Sequence, residues 1–309
     1  MSETARKIIK AAVKEGFTGV GSAPVANADI SAVERWLSKG CNASMDYMAR
    51  NLDIRRKPAL LLENARSMFV FTIPYPRPLT GKSGEKYAGF ALGKDYHHII
   101  KDKLHNIAGE ILDKQSEYRV FCDSAPVMER YWAAQCGLGS IGKNNFLISK
   151  ASGARVLIGE ILTNEIFDDE VSRELRDWNS ATAAVDFNPE TCIECDKCIR
   201  ACPNGALKGY GMLDAARCIS YNTIENKGGI PAGLDTAGWV LGCEECLLAC
   251  PFCQGGDTAI EDKFYYNVQY LSALGKEGWT AMDKPEFKKR FKGTAFERPG
   301  LEKIKSNIK

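Results

Sequence analysis

Cys192-x2-Cys195-x2-Cys198-x3-Cys202-Pro203, then a lone Cys218, then Cys243-x2-Cys246-x3-Cys250-Pro251, is the stretch that organises the chain. A C-x2-C-x2-C-x3-C-P run is the spacing by which a short loop wraps three thiolates around one [4Fe–4S] cube while its fourth cysteine reaches a second cube. The later cysteines supply the complement. Cys192, Cys195, Cys198 and Cys250 form one expected ligand set, and Cys202, Cys218, Cys243 and Cys246 the other. Two or three residues between ligands let successive thiolates face a common point, and a Pro after the last ligand starts the next helix with its fixed φ. Zinc wants four ligands in two pairs, which a 2-2-3 run does not offer. Disulfides need an oxidising compartment, and Met1–Lys10 has neither the apolar core of a signal peptide nor a twin arginine.

The chain has 309 residues, enough for one large or two medium domains with a sizeable core. Its 45% hydrophobic and 26% charged content is ordinary for a soluble globular protein. No apolar run approaches the length of a membrane span, so a cytoplasmic iron–sulfur protein with no membrane partner is expected. Net charge is only +2, but residues 284–309 carry nine Lys/Arg against three Glu, which leaves the rest of the chain near −4. That tail, with Phe287, Phe291 and Phe296 interleaved, reads as a phosphate-facing surface or as an amphipathic helix with its rings turned inward.

Upstream of the cysteines, apolar spacing predicts helices over 4–15, 27–37 and 45–50, the last with its Met and Tyr side chains in the core. Met68–Ile73 reads as a buried strand, 81–93 as a loop, and Asp95 opens a helix to about Lys114. Tyr118–Cys122 and Ala154–Leu162 are further buried strands, and 164–190 a polar linker. Gly137, Gly139 and Gly142 have G-x-G-x-x-G spacing but follow a helix, so a dinucleotide site fails its context; glycine here lets backbone approach a flat ligand or a phosphate. His98 and His105 lack a third metal ligand. Helices are predicted over 263–274 and 283–292. The expected class is α+β: an N-terminal α/β domain over 1–178, a ferredoxin-like two-cluster domain over 179–262, and a basic segment over 263–309 that packs back on the first domain.

Asp123 stands at a strand end before Pro126 and the expected helix 127–136. A carboxylate there is a helix N-cap by local pattern. It is a general acid if apolar neighbours raise its pKa.

Several strings together resemble the epoxyqueuosine reductase family. They are Met45–Arg50, Gly93–His97, Asp123–Arg130, Gly137–Lys143, Gly159–Thr163, the cysteine stretch, and Arg217–Lys227 between its halves. The resemblance covers about residues 45–300. It implies that the first domain binds cobalamin and that the substrate is a tRNA whose wobble base carries an epoxide, reduced to the alkene in the last step of queuosine biosynthesis. It also implies an external electron donor of flavodoxin or ferredoxin type, and a monomer is expected. Asp123 matches the family's proton donor, which would protonate the leaving oxygen while cobalamin attacks an epoxide carbon. By motif, the corrin contacts are Arg55, Tyr96, His97, Asp123, Gly142, Lys143, Asn144, Ser220, Tyr221, Cys243 and Glu244, with Arg130 and Lys227 toward tRNA. Asp95-x-His97 begins a D-x-H-x-x-G string, but Ile100 replaces its Gly, so no protein histidine on cobalt is expected. Cys253 departs from the family pattern and reads as a spare buried thiol. Longer members continue into helical repeats, so a lower and more salt-sensitive tRNA affinity is expected here. The rival readings are a corrinoid-dependent reductive dehalogenase, which usually carries a twin-arginine signal, and a plain ferredoxin-type carrier, which has no use for so large a first domain.

Overall fold

A computed structural model describes residues 1–253 and 267–308. Its centre is a four-stranded antiparallel sheet of β1 (Gly19–Pro24), β2 (Ser67–Pro74), β3 (Tyr118–Phe121) and β4 (Val156–Thr163), in the order β1-β2-β4-β3. Every residue of β2 is buried, which is why its sequence reads as an unbroken apolar run rather than an alternation. β3 is an edge strand and only Phe121 in it is buried, so the expectation of a fully buried strand there is corrected.

Helix α1 (Glu3–Lys14), helix α2 (Tyr96–Ile111) and helix α4 (Asp169–Ala181) cover one sheet face, where Ile8, Phe69, Phe71, Leu104, Ile107, Ile161 and Leu175 pack. The apolar positions of α2 recur at 100, 104, 107, 108 and 111, the spacing of one helical stripe, and Asp95 caps the helix by accepting from the His97 amide at 3.0 Å. Gly159 in β4 allows that helix to lie close: a Cβ there would sit 2.6 Å from Ile100 Cγ2. Helix α3 (Glu129–Gln135) covers the other face with Trp132, Ala133 and Cys136 against Val70, Phe121, Ile158 and Leu162.

Several local expectations are corrected. Residues 46–48 form only a single 3₁₀ turn, and Tyr47 is 43% exposed rather than core. The 164–190 stretch contains α4, whose Asp168 cap and buried Val171 and Leu175 are hidden in a sequence dense in charge. The 81–93 stretch contains strand residues Lys86–Tyr87, which pair in parallel with Trp239–Leu241 of the cysteine-rich region. Through that pairing the two halves of the chain share a sheet.

The C-terminal segment holds α5 (Val268–Ala281), α6 (Lys284–Phe291) and α7 (Leu301–Asn307). Part of the helix expected over 263–274 and the expected boundary at 262 lie outside the described residues. Trp279 stacks against both Phe291 and Phe296, at centroid distances of 5.3 and 5.7 Å, over Tyr87, Leu92, Val240 and Leu241. The tail therefore packs on both halves of the chain, and its phenylalanines face inward. Lys284, Lys288 and Lys289 are left on the surface.

Candidate active site and iron–sulfur centres

The eight cysteines of the organising stretch divide in space as they do in sequence. The Cys198 thiol lies in the electrostatic reach of Cys250, Cys192 and Cys195, and Cys243 in that of Cys218 and Cys202. Cys246 faces Cys243, Cys218 and Cys202, and also Cys198 of the first set, so the two sets adjoin. A small cavity is lined by Cys192, Cys195, Cys198 and Cys250 together with Lys143, Asn144 and Phe252. All twelve cysteines are free thiols. Among the described residues no three Cys, His, Asp or Glu groups converge on a single-ion site; four thiols spread around a cavity suit a cube with iron at its corners. Backbone amides already point at the sulfurs, from Ala206 to Cys202 at 3.2 Å and from Lys143 to Cys192 at 3.5 Å. The Ser220 and Tyr221 amides do the same for Cys218. Such donors stabilise thiolate charge and tune cluster potential. Cys253 is 4% exposed and packs with Ile148, Ala154 and Leu247, as a spare buried thiol does.

A second constellation lies where β3 ends. Asp123 adopts φ +54°, a left-handed conformation uncommon for a residue with a Cβ, and its side chain is 59% exposed. It does not cap α3: the residue at that cap is Met128, which makes no side-chain cap bond. Instead the Tyr96 hydroxyl donates to Asp123 Oδ2 at 2.6 Å, and His97 Nε2 lies 3.6 Å from the same oxygen. His97 Nδ1 is 2.5 Å from Asp95, and the Tyr96 and His97 rings stack at 4.1 Å.

The electrostatics reverse the expectation for Asp123. Hydrogen bonding from His97, aided by the Tyr96 hydroxyl and the Arg130 charge, outweighs burial and holds its carboxyl down to about 2. Burial acts to lower His97, but Asp123 and Asp95 together push it up to about 9. At neutral pH the proton of this pair therefore rests on the imidazole. Behind it, burial and then the Asp123 charge push Glu129 up to about 8.

The residues expected by motif fall in three places. Arg55, Tyr96, His97, Asp123 and Arg130 gather around this mouth; Arg55 Nε is buried without a partner, and Arg130 Nη1 donates to the Asn145 carbonyl. Ser220, Tyr221 and Cys243 lie on the facing wall, where Tyr221 bonds Ser44 Oγ at 2.6 Å. Phe90 connects the two: its ring lies beside Gly242, where a Cβ would sit 3.1 Å from Cε1, and meets Tyr96 edge-to-face at 6.1 Å. Lys143 and Asn144 belong to the first cysteine set: Lys143 Nζ reaches Asp196 at 2.7 Å, and Asn144 is 5% exposed. Gly142 turns the chain there, its missing Cβ leaving space that would lie 2.8 Å from Ile148 Cδ1. The Glu244 side chain is not available to a ligand, because it accepts from Arg155 Nε at 3.0 Å and from the Gly89 amide at 2.6 Å while 1% exposed. Lys227 is exposed and donates to the Arg298 carbonyl. His98 and His105 are exposed, and His105 meets only Tyr118.

Sequence reading missed Tyr47, Glu129, Glu225 and Arg298. Arg298 bonds Glu225 at 2.8 Å, and both, with Asp123 and Arg55, act electrostatically on Tyr47. No short-range signal joins positions so far apart in sequence. Tyr47, Glu129 and Glu225 lie within Met45–Arg50, Asp123–Arg130 and Arg217–Lys227, but nothing local to those stretches marks them out.

A mixed α/β chain whose exposed acid–base pair faces a double set of cluster ligands is an iron–sulfur oxidoreductase. Residues 191–253 match the family described as a 4Fe-4S double cluster binding domain, and residues 55–124 match the family described as epoxyqueuosine reductase QueG, DUF1730. An epoxyqueuosine reductase of Cyclobacterium marinum is 34% identical over 97% of this chain and 94% of its own length, and one of Vibrio cholerae 30% identical over 99% and 82%. The fold superposes, with a TM-score of 0.83 and 25% identity over 98% of this chain and 79% of the other, on a crystal structure of epoxyqueuosine reductase with an epoxyqueuosine-modified tRNA-Tyr stem loop. It also superposes, at 0.81 and 25%, with the same coverage, on the Bacillus subtilis enzyme with its catalytic aspartate loop swung out of the active site. The chain belongs to the epoxyqueuosine reductase family.

Proposed function

We propose that this chain reduces epoxyqueuosine to queuosine at the wobble position of tRNA, using cobalamin bound between the Asp123 mouth and the Cys202–Cys218–Cys243–Cys246 wall. The observation that carries the reading is the Asp123–His97–Tyr96 constellation, linked by Phe90 to Gly242, the residue before Cys243. The residues present fit a corrin: Arg55 offers a buried, unpartnered N–H, and the hydroxyls of Tyr221 and Ser44 line the facing wall. A corrin rimmed with amide side chains needs such polar partners. When bound, cobalamin supplies a low-potential cobalt centre for electron-pair chemistry at an epoxide carbon.

What the protein supplies is binding and protons. Asp123 faces the mouth with its carboxylate held by Tyr96, and His97 carries the proton beside it. Covering the mouth with a tRNA base removes water and favours moving that proton from the imidazolium to the carboxylate, from which it meets the departing oxygen. Arg130, Lys227 and the exposed lysines of the tail lie toward the RNA backbone. Electrons enter from an external donor of flavodoxin or ferredoxin type, and the enzyme works as a cytoplasmic monomer; among the described residues no helix is long and apolar enough to cross a membrane.

Anaerobic incubation of the reconstituted protein with cobalamin, a low-potential reductant and an epoxyqueuosine stem loop tests this. Queuosine in the digested RNA is expected. An unchanged epoxide, with clusters and cobalamin both bound, would overturn the reading.

A further inference from the structure

Glu160 sits in the middle of β4, opposite Val70 of β2 and Phe121 of β3, and is 0% exposed. Its strand neighbours on the same face, Ile158 and Leu162, pack under α3 among Val70, Phe121 and Trp132. A carboxyl does not belong in such a cluster, and both of its oxygens lack a hydrogen-bond partner. The Trp132 indole N–H in the same cluster is also unpartnered. Between this carboxyl and the mouth stands Glu129, the first residue of α3, which accepts the backbone N–H of Asp123. Three carboxyls thus run from the apolar interior to solvent, two residues beyond the strand position that faces Glu160.

On the epoxide-reducing reading, the reaction breaks both C–O bonds of the ring, forms the C=C bond and releases the oxygen as water. It takes two electrons from the external donor and two protons. The pair at the mouth holds one proton. We infer that Glu160 and Glu129 form an internal proton reservoir that recharges Asp123, so that the second proton reaches the same oxygen without opening the site to water. The proton passes from the Glu129 carboxyl to the Asp123 carboxylate; Glu160, within electrostatic reach of Glu129 but bonded to nothing at rest, reprotonates it once a side-chain rotation brings the two carboxyls together, and solvent restores both after product leaves.

An unpartnered buried carboxyl is tolerated as the neutral acid, which is the form a reservoir needs. Burial first, then the charges of Glu129 and Asp123, push Glu160 well above the usual carboxyl range. The other groups facing the cluster do not compete. Cys122, just after β3 and packed on the other sheet face, and Cys136 at the end of α3 are thiols pushed up by burial. Arg130 and His97 act on Glu129, weakly beside its burial and the charge of Asp123. Both carboxyls act through Asp123 and touch no substrate.

Glu160→Gln and Glu129→Gln, each nearly isosteric, test this in the reconstituted holoenzyme. Single turnover is expected to fall at least about tenfold in either variant near neutral pH, and the deficit to close as pH rises through about 8, where Glu129 gives up its proton in the wild type as well. Infrared carbonyl absorption of protonated carboxylic acids is expected near neutral pH in the wild type and to lose one component in Glu160→Gln, Glu129 supplying the one that remains. A wild-type rate and pH profile in both variants, or no such band in the wild type, would overturn the reservoir. The infrared band needs no turnover, so it decides this inference even where the wild type leaves the epoxide intact, a result that counts against the proposed function instead.

Discussion

The Tyr96 hydroxyl and the Asp123 carboxylate meet at 2.6 Å across the end of the central sheet, one from the first turn of α2 and the other from the left-handed turn after β3. With His97 at 3.6 Å this places a hydrogen-bond donor and a protonated base on one oxygen of a carboxyl that is still open to solvent. The arrangement stores a proton next to the group that delivers it.

His97 has its pKa raised from 6.5 to about 9 by Asp123 and Asp95 against burial. A group whose folded pKa is raised contributes stability that is full below its unfolded value and lost as pH rises through the folded one. The His97 contribution is therefore present below 6.5 and gone above about 9. Tm measured across that window should decline more in the wild type than in His97→Gln; parallel curves would remove the ion pair from the account.

Cys198 belongs to the set with Cys192, Cys195 and Cys250. Cys198→Ala should lower iron from about eight to about four atoms per chain and leave the other cluster's spectrum. An unaltered iron content would show that the ligand sets are wrongly drawn.

Trp279 is fully buried, stacked on Phe291 and Phe296, and donates to the Tyr87 hydroxyl at 2.7 Å. Trp279→Ala should cost about 3–5 kcal/mol, read as a lower urea midpoint at unchanged slope. A loss under about 1 kcal/mol would mean that the tail contributes little to the fold.

Lys288 and Lys289 project from α6 into solvent. Replacing both with Ala should weaken stem-loop binding and reduce the slope of log affinity against log salt by about one to two. An unchanged slope would turn the RNA away from this face.

The double-cluster stretch, β2, α2 and the inward phenylalanines are legible because each rests on a local pattern: cysteine spacing, an unbroken apolar run, or an apolar stripe of helical period. Helix α4 is not, since Asp168, Asp169, Glu170, Arg173 and Glu174 make it read as a linker and two of its four buried positions, Ser172 and Asn179, are polar. The strand Lys86–Tyr87 is two residues long and lies between Leu79–Thr80 and Trp239–Leu241, the latter some 150 residues away. Asp123 was identified by position, but its charge state was not. That depends on His97, which reaches it only in the folded chain, and on Glu129, whose burial no neighbouring residue announces.

The central claim is that Asp123 passes the proton to the epoxide oxygen, and single turnover by Asp123→Asn in the cobalamin- and iron-loaded protein tests it most directly. The expected result is full binding of cobalamin, iron and stem loop, with queuosine formation slowed by about 10²–10⁴. A rate within about twofold of the wild type, with the same cofactors bound, would contradict it.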